Sequence, residues 1–369
     1  MVATRRRIKV ARELPMKAAH SEAIALLLEP GKTRTTIHRT HLNGKIFKTM
    51  HELKLTMLGP SGVGKTSLLT AMYEQFESNI GFTDLQLTPD LESSALLQER
   101  LAELKNLPDS FETKGWMQST EDYKSFIFEL GRKGATPSLE LQFQDYPGEY
   151  LSARSSREEK KQVESFLRES AAVAIAIDTP ALMEKNGRWH DTINKPQQIA
   201  NLFQRVYREL DAPRLVILAP VRCEKYLQNE KTTAELVRRV QSGYARLLDL
   251  LRSPSLLPNV AVVVTPVQTV GTVVFSRIEE QDSKPLFIFR KTSHDAQYNP
   301  QDSEQPLRYL LRFLLKLHLD RRQWGLFNFL REWLRLDSHL KDAVREFAKG
   351  CKNTSGFAVL QGDSWLNIG

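Results

Sequence analysis

A lysine, a threonine and three glycines stand at a spacing that suits a bound phosphate. Gly59, Pro60, Ser61, Gly62, Val63, Gly64, Lys65 and Thr66 fit G-x-x-x-x-G-K-[ST], and Ser67 follows. Gly62 and Gly64 allow backbone conformations that turn several N–H groups into one concavity. Lys65 supplies a positive charge for the β- and γ-phosphates of a nucleotide, and Thr66 a hydroxyl for Mg2+. A glycine-rich turn that binds nothing has the same composition, so the flanking elements decide. Leu53, Leu55 and Met57 or Leu58 read as an alternating strand, and Ser67 to Phe76 as a helix-forming run. Strand, loop and helix in that order are the setting of a phosphate site, and the new helix adds its positive end.

A carboxylate and a further glycine follow at the right distance. Ser138 to Asp145 reads as a strand with one wet face, because Leu139, Leu141 and Phe143 alternate with Glu140, Gln142 and Gln144. Asp145 closes it, where a carboxylate would hold the water of a nucleotide-bound Mg2+. Gly148 makes D-x-x-G, and its N–H can approach a γ-phosphate, so the loop could order or release with nucleotide state. Glu149 comes next. It could accept a proton from water, although its charge opposes the γ-phosphate; the alternative is a surface glutamate. Thr120 precedes the strand Tyr123 to Leu130 and is the expected second hydroxyl for Mg2+ and the γ-phosphate, with Thr113 and Thr88 next in line. Arg154 and Arg157 flank the Asp145 loop and read as solvated arginines before arginine fingers.

Base recognition falls to the segment after the apolar run Arg214 to Pro220. There Val221, Arg222, Cys223, Glu224 and Lys225 stand where N/T-K-x-D is common. Arg222 could stack on a base through its stem. Glu224 keeps a bidentate acceptor, one methylene longer than aspartate. Guanine is expected and adenine stays open. Val267, with Thr265, Pro266 and Gln268, is expected to close a backbone loop over the base.

The elements that must carry these residues are legible as alternating β and α signals. Apolar runs at Ala171 to Asp178, Arg214 to Pro220 and Asn259 to Val267 suit strands covered on both faces. Helical patterns occupy about 91–107, 157–170, 196–210, 232–252 and 303–319, the second opened by Ser156 and Glu159 as a capping box. This order predicts a mostly parallel sheet with right-handed crossovers. Residues 77–120 and 272–298 read as insertions, the latter a hairpin. A further amphipathic stretch, about 321–348, carries Trp324, Phe327, Leu330, Trp333, Leu334, Leu340, Val344 and Phe347, and weighs toward a packed face over an exposed partner-binding helix.

At 369 residues, 41% hydrophobic and 26% charged, the chain is globular in composition. It lacks an 18-residue apolar run, so no transmembrane span is expected. Residues 1–50 hold eleven Lys or Arg against three Glu, which accounts for the whole net charge of +8. This basic arm weighs toward a solvated extension; the alternative is contact with an anionic partner such as nucleic acid, a membrane or an acidic protein. The two cysteines, Cys223 and Cys351, have no metal spacing and suit a reducing cytoplasm. The expected division is an arm at 1–50, a nucleotide domain at 51–320 and a C-terminal helix and tail at 321–369.

Taken together, GPSGVGKTS, QDYPGEYL, APVRCEKYL, VVTPVQTVG and QPLRYLLRFLL resemble the double-GTPase family of bacterial conflict systems, and DYPGE also resembles the related YcjX-like P-loop proteins. The resemblance spans roughly 50–320. It implies an α/β, Ras-like P-loop NTPase fold, to which the alternating elements add a mostly parallel central sheet with helices on both faces; the basic arm and the helical C-terminal extension lie outside the resemblance. It further implies a partner GTPase or effector and a regulatory or scaffold role in a defence module. The residues themselves point to GTP or GDP with Mg2+, and without a strong water-positioning group slow hydrolysis, used as a switch, is the expectation. A homo-oligomer stays open. Lys65, Thr66, Asp145, Gly148 and Glu224 match the family's motif positions. Two other classes remain beside it: an ATP-dependent P-loop enzyme, and a nucleotide-bound scaffold without turnover.

Overall fold

The apolar runs become the centre of one sheet, and alternate residues of each run feed two separate cores. The structure, a computed structural model, describes residues 50–368 except 82, 110–111, 115–122, 152–154, 209, 282–283, 321–328, 330–332 and 335–336. Its strands are β1 (His51–Leu58), β2 (Leu85–Pro89), β3 (Glu112–Lys114), β4 (Lys124–Arg132), β5 (Leu139–Asp145), β6 (Ala172–Asp178), β7 (Arg214–Val221), β8 (Val260–Val264), β9 (Val273–Gln281), β10 (Lys284–Lys291) and β11 (Ala358–Gln361). Eight form a sheet in the order β11-β8-β7-β6-β1-β5-β4-β2. The five from β8 to β5 run parallel; at the margins β4 pairs antiparallel with β5, β2 with β4 and β11 with β8.

The helices are α1 (Lys65–Asn79), α2 (Leu91–Asn106), α3 (Arg157–Glu169), α4 (Thr179–Met183), α5 (His190–Ile193), α6 (Pro196–Val206), α7 (Glu230–Gly243), α8 (Ala245–Leu251), α9 (Gln305–Leu319) and α10 (Ser338–Lys349). Leu53, Leu55 and Met57 of β1 join one core with α1, α9 and α10. Val173, Ile175 and Ile177 of β6 join the other with α3, α6, α7 and α8. Helices therefore cover both faces, and the fold is an α/β P-loop architecture.

Several expectations shift in detail. The insertion after α1 contributes two strands as well as α2: β2 widens the main sheet, and β3 pairs with β10 in a second sheet, ordered β3-β10-β9. Strands of five and three residues are too short for their periodicity to register. The single helical pattern at 232–252 divides at Tyr244 into α7 and α8. Helix α9 is buried nearly all round, since Tyr309, Phe313 and Leu317 are enclosed along with the leucine stripe. Of the aromatic stretch at 321–348, Trp324, Phe327 and Leu330 lie outside the described residues. Trp333 is buried with its Nε1 donating to Ser138 Oγ at 2.8 Å. Leu340, Val344 and Phe347 of α10 enter the core, and Phe347 meets Phe76 of α1 edge-on at 5.1 Å. No helix among the described residues is long and apolar enough to cross a membrane.

Candidate functional site

The phosphate loop sits between the C-terminal end of β1 and the start of α1. Gly62 (φ 74°) and Gly64 (φ 106°) adopt the left-handed conformations that only glycine takes freely. Gly59 is required for closeness: a Cβ there would lie 2.9 Å from Val63 Cγ1 and 3.2 Å from Ala176 O. No side chain caps α1, whereas Asp90, Ser156, Asn229 and Asp337 cap α2, α3, α7 and α10. The positive end of the helix dipole therefore meets the loop with no side-chain cap. Val63 is buried and anchors the loop, while Ser61 and Gly62 are exposed at its tip. Ser67 is buried one residue beyond Thr66.

Parallel pairing brings the carboxylate to this loop. Met57 stands opposite Asp145 in the β1–β5 register, so Asp145 lies beside the first turn of α1. The Thr66 hydroxyl donates to Asp145 Oδ2 at 2.6 Å. Lys65 Nζ lies 3.9 Å from Asp145 Oδ1 and donates to Gly59 O at 3.0 Å. The Tyr146 ring, its centroid 5.9 Å from Nζ, covers it. Burial pushes the Lys65 amine down and the Asp145 carboxyl up, and each charge opposes the other's shift. Asp145 is fully buried, and its Oδ1 accepts no hydrogen bond among the described residues. A hydroxyl and a carboxylate with an open buried oxygen suit a hard, oxygen-seeking cation such as Mg2+. No group of three or more His, Cys, Asp or Glu that could hold a metal occurs among the described residues. Such an ion would draw its other ligands from phosphate and water.

The D-x-x-G turn lies directly on the loop. A Cβ on Gly148 would fall 1.8 Å from Ser61 N and 2.1 Å from Pro60 C, so only glycine permits this contact. A short 3-10 turn, Gly148–Leu151, follows and leaves Glu149 exposed. Thr120 and Arg154 lie outside the described residues. Thr88 is on β2 and Thr113 on β3.

The residues of the base segment are packed into the fold. Arg222 is buried, with Nη1 donating to Asp178 Oδ2 at 2.5 Å and Nη2 to Gly62 O at 2.7 Å. Glu224 is buried too, and its Oε1 accepts from the amides of Val270 (3.4 Å) and Gly271 (3.3 Å). Burial pushes its carboxyl up to about 7, against those amides and the Arg222 charge. The Val267 amide donates to Pro220 O at 2.8 Å, in an isolated bridge beyond the end of β8. The Arg222 guanidinium is thus engaged with the phosphate loop and Asp178.

Two participants escaped the sequence reading. Asp178 ends β6 as Asp145 ends β5, and a carboxylate closing an apolar parallel strand was the signal. Tyr146 stood inside a noted motif, but nothing in its spacing marks it as the cover of Lys65.

The sequence pattern of the Double-GTPase 2 family matches residues 54–255, more than half of the chain. No curated protein matches in sequence. Similar solved structures include the S. cerevisiae Ski7 GTPase-like domain bound to GTP, 14% identical with a TM-score of 0.35, over 59% of this chain and 43% of that one. Another is the signal recognition particle receptor SRb-GTP/SRX complex from Chaetomium thermophilum, 14% identical with a TM-score of 0.32, over 61% and 93%. A third is sup35 complexed with GDP, 11% identical with a TM-score of 0.28, over 62% and 40%.

Proposed function

The chain belongs to the Double-GTPase 2 family, and on that premise we propose that it binds GTP with Mg2+, hydrolyses it slowly and acts as a nucleotide-controlled switch. The observation that carries the reading is the 2.6 Å contact of Thr66 with Asp145 beside an uncapped helix start and a buried lysine. The loop amides and Lys65 neutralise the β- and γ-phosphates, the latter gaining the counter-charge that its burial makes valuable. Thr66, with Asp145 through a water, would hold Mg2+, which would supply further neutralisation of phosphate charge. Water attacks the γ-phosphorus, the bond to the β–γ bridging oxygen breaks, and GDP and phosphate leave. Gly148 offers its N–H to the γ-phosphate, so the 148–151 turn responds to its loss; Thr120 is assigned the matching role. Glu149 orients or deprotonates the water. Its exposure gives it little fixed geometry, which favours slow intrinsic turnover and activation by a partner GTPase or effector. We assign the protein to the cytoplasm and to a bacterial defence module on the strength of its motifs.

One observation favours a second reading. Glu224 Oε1 and the Val267 amide are already bonded within the fold, which suits a P-loop ATPase or scaffold that reads no guanine through them. Single-turnover hydrolysis of GTP and ATP, with and without Mg2+, separates the two. Mg2+-dependent GTP cleavage, lost in Lys65→Ala, is expected; cleavage of ATP alone would favour the second, and no cleavage of either would leave the scaffold.

A further inference from the structure

The segment after β7 touches the second sheet as well as the phosphate loop. Arg222 holds a left-handed conformation, φ 58°, that is uncommon outside glycine. Besides its bonds to Asp178 and Gly62 O, its guanidinium carbon lies 5.8 Å from the centroid of Phe289 on β10, within cation–π range. Lys225 Nζ lies 4.8 Å from the Phe275 ring centroid on β9. Glu224 holds the amides of Val270 and Gly271, just before β9. Asp178 is itself fixed, its Oδ1 accepting from Ala181 N and its amide donating to Asn194 Oδ1, both at 2.8 Å. Phe289 also stands opposite Thr113 of β3, so the two insertions meet at the strand that Arg222 touches.

The consequence runs through a single peptide. The Gly62–Val63 unit is planar, so its C=O and N–H point opposite ways. Arg222 holds Gly62 O and thereby fixes the direction of the Val63 N–H on the loop that faces the phosphates. We propose that the three-stranded sheet is a regulatory element that sets the rate of nucleotide release, acting through Phe289 and Arg222 on the Gly62–Val63 peptide. Displacement of β10 frees the peptide and speeds release; a clamped β10 slows it. Because slower release at an unchanged association rate is tighter binding, bound nucleotide tightens the sheet in return by linkage.

This inference rests on the nucleotide reading above. The test measures dissociation of mant-labelled GDP from the wild type, Phe289→Leu, Arg222→Lys and the double variant, with melting temperatures alongside. Each single change is expected to speed release about fivefold or more, and the double variant to be no faster than Arg222→Lys, because both act through one link. Effects that multiply, or unchanged release from a Phe289→Leu protein with a wild-type melting temperature, would overturn the relay. Should Phe289→Leu fail to fold, hydrogen exchange of the wild type decides. Slower exchange at 287–290 with GDP supports the relay, and unchanged exchange in GDP-bound protein overturns it. A folded wild type that binds no mant-GDP would overturn the nucleotide reading itself.

Discussion

Lys65 and Asp145 are each driven toward neutrality by burial, a shift that the other's charge opposes, so removing one leaves the other without that counter-charge in a dry place. Lys65→Ala is expected to weaken GTP binding by about a hundredfold, ~2.8 kcal/mol. Equilibrium titration with a fluorescent nucleotide reads this loss, and wild-type affinity in a folded variant would contradict the assignment. At Gly148 the argument is steric. Alanine would place a Cβ 1.8 Å from Ser61 N, forcing the turn off the loop. GTP hydrolysis should fall about tenfold or more while GDP still binds, as single-turnover rates and GDP titration would report. Glu224 gives a pH dependence with a definite sign. Its folded-state pKa, raised to about 7, means the native state holds the proton more tightly than the unfolded chain. The stabilisation is full below the ordinary carboxylate range near 4.5 and lost as pH rises through about 7. Melting of Glu224→Gln against the wild type should therefore show the variant gaining relative stability from about pH 5 to about pH 8. A constant difference would mean that Glu224 does not titrate there.

Among the elements, the parallel strands and major helices were legible because each carries a run long enough to reveal its period. The central strands are continuous apolar runs, and α3 announces itself by the Ser156–Glu159 box, which the structure contains in full. What escaped were elements defined by their neighbours. β3 has three residues and exists through its pairing with β10; β11 has four and extends the sheet by pairing with β8. The polar face of α9 likewise has no meaning in isolation. Gln305 bonds Gly350 O, Arg308 bonds Phe347 O and Tyr309 bonds Lys352 O, so this face clamps the last turn of α10 and the residues after it. Helix α10 should then contribute like a core helix. Phe347→Ala, which removes the contact with Phe76 and the ring under Arg308, is expected to cost about 3–5 kcal/mol. Urea unfolding followed by circular dichroism measures it, and a loss below about 1 kcal/mol would mark α10 as an appendage.

Across the molecule, the site arises where chain order and sheet order meet. The phosphate loop leaves β1, Asp145 ends β5 on one side, and Asp178 ends β6 on the other, so three strand ends converge on α1. The first two were legible because their motifs have fixed spacing. The Asp178–Arg222 link was not, since Asp178 belongs to no fixed pattern and its pairing with Arg222 is set by the folded chain. Nor could the sequence indicate that Glu224 bonds Val270 and Gly271, because a carboxylate's partners depend on the loop folded against it. The central claim is guanine nucleotide binding at this junction. Its most direct test is competition of unlabelled GTP and ATP against mant-labelled GTP on the wild-type protein in Mg2+. A guanine preference above about tenfold, ~1.4 kcal/mol, is the predicted result. Equal or tighter binding of ATP would contradict the account and make 221–225 an ordinary structural loop.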